Sequence, residues 1–219
     1  MKKIVITILI PVLLCMSSKA TAQKKDERKY AARAEEVDQE IMGKPDPVFA
    51  SNSIPDSLSK SSAVIIAKKI DLYADFEKKV KHSRGYNTLS YNNTRYYLTI
   101  REKVKIIDKS ALNEYSEFSF SKIRKQSNFF KRKAFFFLGI RLIKPDGTIK
   151  KINVDEEAVN APGENEKEKY KLAIPGLELG DIIDIYARVE QQTPSNRLIE
   201  PLDVVLGGEY PILTYSFSA

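Results

Sequence analysis

Side chains able to do chemistry are scarce in this sequence. It holds one cysteine, Cys15, and one histidine, His82. Cys15 lies in an apolar leader expected to be removed, so the mature chain has no thiolate nucleophile and no cysteine metal ligand. A serine triad needs a histidine base. His82 sits in the polar run Lys81-His82-Ser83-Arg84, read as a solvated loop, and no Gly-x-Ser-x-Gly nucleophile motif is present. One histidine cannot supply a zinc site of the usual ligand types. The acids Asp155-Glu156-Glu157 and Glu164, Glu166 and Glu168 offer the oxygens that calcium takes, but Lys167 and Lys169 interleave with them and no Asp-x-Asp-x-Asp-Gly loop occurs. That stretch reads as a solvent loop. A hydrolase built on two carboxylates would need a facing pair, and none is singled out. Catalytic, cofactor-binding and metal residues are therefore assigned to none, no cofactor is expected, and the chain is not expected to be an enzyme.

Lys122, Arg124, Lys125, Lys131, Arg132 and Lys133 surround Phe129-Phe130 without an acid. Basic side chains with interleaved aromatics can form a nucleic-acid groove. The address of the chain argues against that partner. Met1-Lys2-Lys3, an apolar run from Ile4 to Met16 and Ala20-Thr21-Ala22 form the three parts of a secretory signal peptide, 1–22, with cleavage expected after Ala22. The run is too short for the roughly 20 residues that span a bilayer, and no later run approaches that length. Leu14 before Cys15 is too large for a lipid-attachment site. Maturation removes Lys2, Lys3 and Lys19, so the net charge of +7 falls by three to +4. The reading is a periplasmic or secreted protein held together by its core alone, with no nucleic-acid partner and no transmembrane span after cleavage.

The rest of the chain supplies positioning elements. Residues 23–60 form a lead-in: Lys24 to Met42 carries Tyr30, Ala34, Val37 and Ile41 at helical steps, then Pro45, Pro47 and Pro55 mark an extended linker. Residues 61–219 read as one β-rich domain. Ala63-Val64-Ile65-Ile66-Ala67 begins a buried strand, residues 74 to 95 read as a polar connection, and Tyr96 to Ile107 is the longest alternation. Ser110 is read as the N-cap of a short helical turn, and Phe118-Ser119-Phe120-Ser121 alternates again. Phe135 to Ile143 and Ile149 to Val154 flank Lys144-Pro145-Asp146-Gly147, a hairpin turn in which proline fixes one corner and glycine the left-handed position. Asp155 to Lys169 is read as loop. Ala173 to Glu190 contains the turns Pro175-Gly176 and Gly180-Asp181, then a strand with Ile183, Ile185, Ala187 and Val189 on one face and Asp184, Tyr186, Arg188 and Glu190 on the other. Leu202 to Phe217 adds strand pieces around Gly207-Gly208. Six or more strands, with helix only near the start, predict a mainly β, antiparallel sandwich-like fold with a short N-terminal helix.

Together, Ala-Val-Ile-Ile (63–66), Arg-Leu-Ile-Lys-Pro-Asp-Gly-Thr-Ile (141–149) and Ile-Pro-Gly-Leu-Glu-Leu-Gly-Asp-Ile-Ile-Asp-Ile-Tyr (174–186) resemble a family. It is the β-rich domain of unknown function that precedes transglutaminase-like cores in exported Gram-negative proteins, matched over roughly residues 60–217. The resemblance implies a non-catalytic accessory domain with a structural or interaction role and a transglutaminase-like or other periplasmic partner. No position matches the Cys-His-Asp core of the longer relatives, and the expectation is a truncated or split product, incomplete at its C-terminal end. The alternative is a free-standing glycan- or peptide-binding module using exposed Tyr97, Arg101, Tyr186 and Arg188. A shortened sandwich also predicts an unpaired edge at Leu213 to Phe217, and hence self-association.

Overall fold

The computed structural model describes residues 28–82, 88–120, 123–126, 132–161, 169–194 and 207–219. The expected signal peptide with Cys15, the acids Glu164, Glu166 and Glu168, the pair Phe129-Phe130, and Leu202 to Leu206 lie outside the described residues. The chain divides into two units, Met1–Lys44 and Pro45–Ala219. In the first, residues 28–41 form helix α1. Arg33 reaches Glu36 at 2.7 Å and Glu40 at 2.9 Å along its surface.

The second unit is mainly β. Its large sheet contains β1 (Ala63–His82), β2 (Thr88–Ile106), β4 (Ile123–Gln126), β5 (Arg132–Ile143), β6 (Ile149–Ile152), β9 (Ile182–Pro194) and β10 (Ile212–Ser218). The strand order is β10-β1-β2-β9-β5-β4, with β6 also paired to β5. A small sheet orders β3 (Glu117–Phe120), β8 (Lys169–Ala173) and β7 (Ala158–Ala161). The two layers share a core: Phe120 and Leu172 from the small sheet join Ile65, Val104, Ile140, Leu142 and Ile183 from the large one. Among the described residues every pairing is antiparallel except β1 with β10, which run parallel from Ile65↔Ile212 to Asp71↔Ser218. The sandwich-like, mainly β reading therefore holds, with one parallel edge that alternation alone cannot reveal.

Several boundaries differ from the sequence reading. Residues 74–82 and 88–95 of the polar run are paired strand rather than connection, with His82 at the end of β1 opposite Thr88. Polar residues there keep strand form because the cross-strand ladder satisfies their backbone groups, which periodicity of hydrophobic residues does not report. The cap of α2 (Lys109–Glu114) is Asp108 rather than Ser110; its carboxylate accepts from the backbone N–H groups of Ser110 and Ala111. The Ser62 hydroxyl and these N–H donors hold that carboxyl below its ordinary pKa. The expected loop after Asp155 contains α3 (Val154–Glu157) and β7, whose Val159 is exposed, so its strand character comes from pairing with β8 and leaves no burial pattern.

β9 is central, flanked by β2 and β5, and its two faces divide as expected. Ile183 enters the core. On the other face Tyr186 lies buried over Gly139, its partner in β5. A β-carbon on residue 139 would fall against the ring, 2.7 Å from Tyr186 Cζ. Glycine is required there for close approach, and the aromatic ring covers the backbone that glycine leaves bare. Gly139→Ala is expected to cost about 1–3 kcal/mol through overpacking, read as a lower urea midpoint. Adding Tyr186→Leu should recover part of the loss; an alanine variant as stable as the parent would overturn this account.

Candidate functional site

Two interlocked polar clusters and one edge could carry function, and each begins with a local sequence feature. The first cluster uses the polar face of β9. Asp184 and Arg101 form a buried, bidentate pair, with Arg101 Nε and Nη2 donating to the two carboxylate oxygens at 2.9 and 2.8 Å. The guanidinium also lies 4.0 Å from the centre of the Phe49 ring. Lys103, beside it, donates to the Phe49 carbonyl at 2.8 Å. Burial pushes the Lys103 amino group below the ordinary lysine pKa, with Arg101 adding to the effect and Asp184 opposing it. Lys69 meets Asp46 at 3.1 Å, and Asp46 caps the 3₁₀ turn Pro47–Phe49 through Val48 N–H. Ile54 packs on Ile66, Ile143 and Ile182. The proline-containing linker is thus laid along this face of the sheet by one aromatic, one carbonyl and one carboxylate. Removing either member of the Arg101–Asp184 pair would strand a buried charge at about 3–5 kcal/mol.

Farther along the same face, β1, β2 and β9 place Tyr73, Tyr97 and Glu190 in one cross-strand row. Tyr73 and Tyr97 stack, ring centres 5.8 Å apart at 28°. Arg188 stands 5.1 Å over the Tyr97 ring and pairs with Glu190 at 3.1 Å. Of the four residues expected on a binding face, the structure brings Tyr97 and Arg188 together. Arg101 and Tyr186 are buried and committed and Tyr97 and Arg188 are half-buried, which corrects the expectation that the four are exposed. Tyr73 was missed: it is 61% exposed, and only the hairpin register sets it opposite Tyr97.

The second cluster joins the two turns. Gly147 and Gly180 take φ of +88° and +89°, the left-handed values glycine tolerates. Lys144 Nζ donates to Gly176 O at 2.7 Å, Glu178 Oε2 at 3.0 Å and Asp181 Oδ2 at 2.9 Å. Asp181 is fully buried, and the same oxygen accepts from Glu178 N–H at 2.8 Å. These bonds to Asp181 and Glu178 raise the Lys144 pKa. His82 gains no assigned role; its side chain and those of the basic 122–133 stretch lie outside the described residues. Asp155, Glu156 and Glu157 form the exposed first turn of α3, capped by Asn153. Among the described residues no three His, Cys, Asp or Glu side chains gather as a cation site, and no helix is long and apolar enough to cross a membrane.

The remaining feature is β10. Among the described residues its one strand neighbour is β1, and Leu213, Tyr215 and Phe217, spaced two apart, are all exposed.

No protein-family profile matches this chain, and no curated protein matches it. Among solved structures, a candidate protease from Parabacteroides distasonis is similar with a TM-score of 0.39 and 18% identity, over 66% of this chain and 25% of that one. The chain thus spans a quarter of that protein's length, and a likeness this weak carries no argument.

The Lys144 cluster has a signed pH dependence. Its pKa in the fold is raised above the unfolded value of about 10.4, so its contribution is complete below that value and fades as pH rises through the folded pKa. Melting temperatures measured from neutral to strongly alkaline pH should converge for the parent and Lys144→Met at the alkaline end, with the parent higher at neutral pH. Parallel curves would exclude this linkage.

Proposed function

We propose that this chain is a non-catalytic exported interaction domain that supports or positions a transglutaminase-like partner. What supports the reading is where charge is spent. Among the described interior ionic groups of the large sheet, Arg101 pairs with Asp184 and Lys68 with Glu102, each at 2.8 Å, while Lys103 donates to the Phe49 carbonyl. The uncharged edge β10 has, among the described residues, β1 as its one strand neighbour and exposes Leu213, Tyr215 and Phe217. Strand addition to such an edge gives affinity through main-chain hydrogen bonds and specificity through alternate side chains. The test mixes the purified mature chain with an exported transglutaminase-like protein of the same source and measures binding by calorimetry. Binding is expected, and Tyr215→Lys should weaken it at least about tenfold, a loss of about 1.4 kcal/mol, with unchanged circular dichroism. Turnover of glutaminyl peptides or glycans by the pure chain, or binding indifferent to Tyr215→Lys, would overturn the proposal.

A second reading, a glycan- or peptide-binding module, rests on the exposed Tyr73 stacked on Tyr97 with Arg188 beside it. Ring faces accept the apolar side of a sugar or a peptide side chain. Cell-wall oligosaccharides and peptides titrated against the chain should bind, and Tyr73→Ala should weaken binding about fivefold, the loss of one aromatic contact of about 1 kcal/mol. Equal affinity in both proteins would count against it.

A further inference from the structure

We infer that the strand β10 accepts is β10 of a second copy, joined antiparallel about a two-fold axis through Tyr215, so that two large sheets become one. The inference rests on the reading of this edge as the interaction surface: a second copy fills the edge in the free chain, and a strand-adding partner would take it by displacing that copy.

The edge lacks the devices that keep strands apart. From Ile212 to Ser218 it reads Ile-Leu-Thr-Tyr-Ser-Phe-Ser, with no lysine, no acid and no proline, the residues by which native edges repel unwanted pairing. Leu213, Tyr215 and Phe217 are 39%, 40% and 51% exposed. The charges one strand in are neutralised: Lys68 pairs with Glu102, Lys69 with Asp46 and Asp71, and Asp71 also accepts from Ser218 Oγ. An incoming strand therefore meets no uncompensated charge from β1.

The order of side chains favours its own copy. Centred on Tyr215, antiparallel pairing sets Tyr215 against Tyr215, Leu213 against Phe217, and Thr214 against Ser216. Over 213–217 apolar groups meet apolar groups and hydroxyls meet hydroxyls, the cross-strand pairs that stabilise antiparallel ladders, and only the outermost pair, Ile212 against Ser218, is mixed. A two-fold contact of this kind closes on itself and ends at a dimer.

The experiment is a pair of charge exchanges read by light scattering after gel filtration, with circular dichroism confirming the fold of each variant. The parent chain should have twice the mass of one copy. Tyr215→Lys and Tyr215→Glu should each be monomeric, because like charges meet at the axis, and their equimolar mixture should recover the dimer. Phe217→Lys mixed with Leu213→Glu should recover it as well, since only this register sets residue 217 against 213. A monomeric parent at high micromolar concentration, a dimer unaffected by either Tyr215 variant, or mixtures that stay monomeric would overturn the inference. None of these outcomes depends on the transglutaminase-like partner. Loss of partner binding with the dimer intact would instead count against the accessory role alone.

Discussion

The Lys144 ammonium is the contact on which the architecture turns. It belongs to the hairpin between β5 and β6, yet its three acceptors belong to the turn that launches β9. That turn is in turn fixed to the end of β2, because Gly180 N–H donates to Ile106 O and Ile106 N–H to Asp181 O, both at 2.9 Å. Three strands that are distant in sequence are thereby held at one corner in the register that places Ile182 between Lys105 and Ile143. From that start, alternation delivers every later residue of β9 to its proper face: Ile183 to the core, Asp184 to Arg101, Tyr186 to Gly139. A slip of one residue would send Asp184 into the apolar layer and Ile183 against the guanidinium.

The same register commits much of this polar sheet face to internal contacts. Its side chains are spent on one another and on the linker. Arg101 serves Asp184 and Phe49 together, and Lys103 spends its amino group on a backbone carbonyl. Arg101 is balanced by Asp184, whereas Lys103 is a second buried cation held by a neutral carbonyl, with burial lowering its pKa. Tyr73, by contrast, is exposed on this face.

Much of this was legible in the residues. Pro145-Asp146-Gly147 and Gly180-Asp181 announced their turns because glycine and proline write backbone geometry directly into sequence. β9 announced its faces because one side is Ile-rich and the other charged. What stayed hidden depends on long-range pairing. Sequence alternation does not say that Tyr73 lies opposite Tyr97, that Lys144 reaches Asp181, or that β10 lies parallel to β1. The choice between Asp108 and Ser110 as cap was likewise decided by a tertiary contact, the Ser62 hydroxyl on Asp108. β7 and the polar half of the β1–β2 hairpin were missed for a related reason: their strand form is maintained by ladder hydrogen bonds to neighbours rather than by an apolar stripe.

The two ends of the large sheet are built differently, and the contrast bears on what the fold is for. At one end β4 reads Ile-Arg-Lys-Gln and β6 reads Ile-Lys-Lys-Ile. Lysine and arginine in outer strands disfavour a further strand, because pairing would bring like charges together and desolvate them. At the other end β10 carries hydroxyls and exposed apolar groups with no charge at all. If bareness were a by-product of a β-rich composition, both ends would share it. The chain has basic residues in plenty, 36 lysines and arginines in 219 positions, and places none of them in this strand.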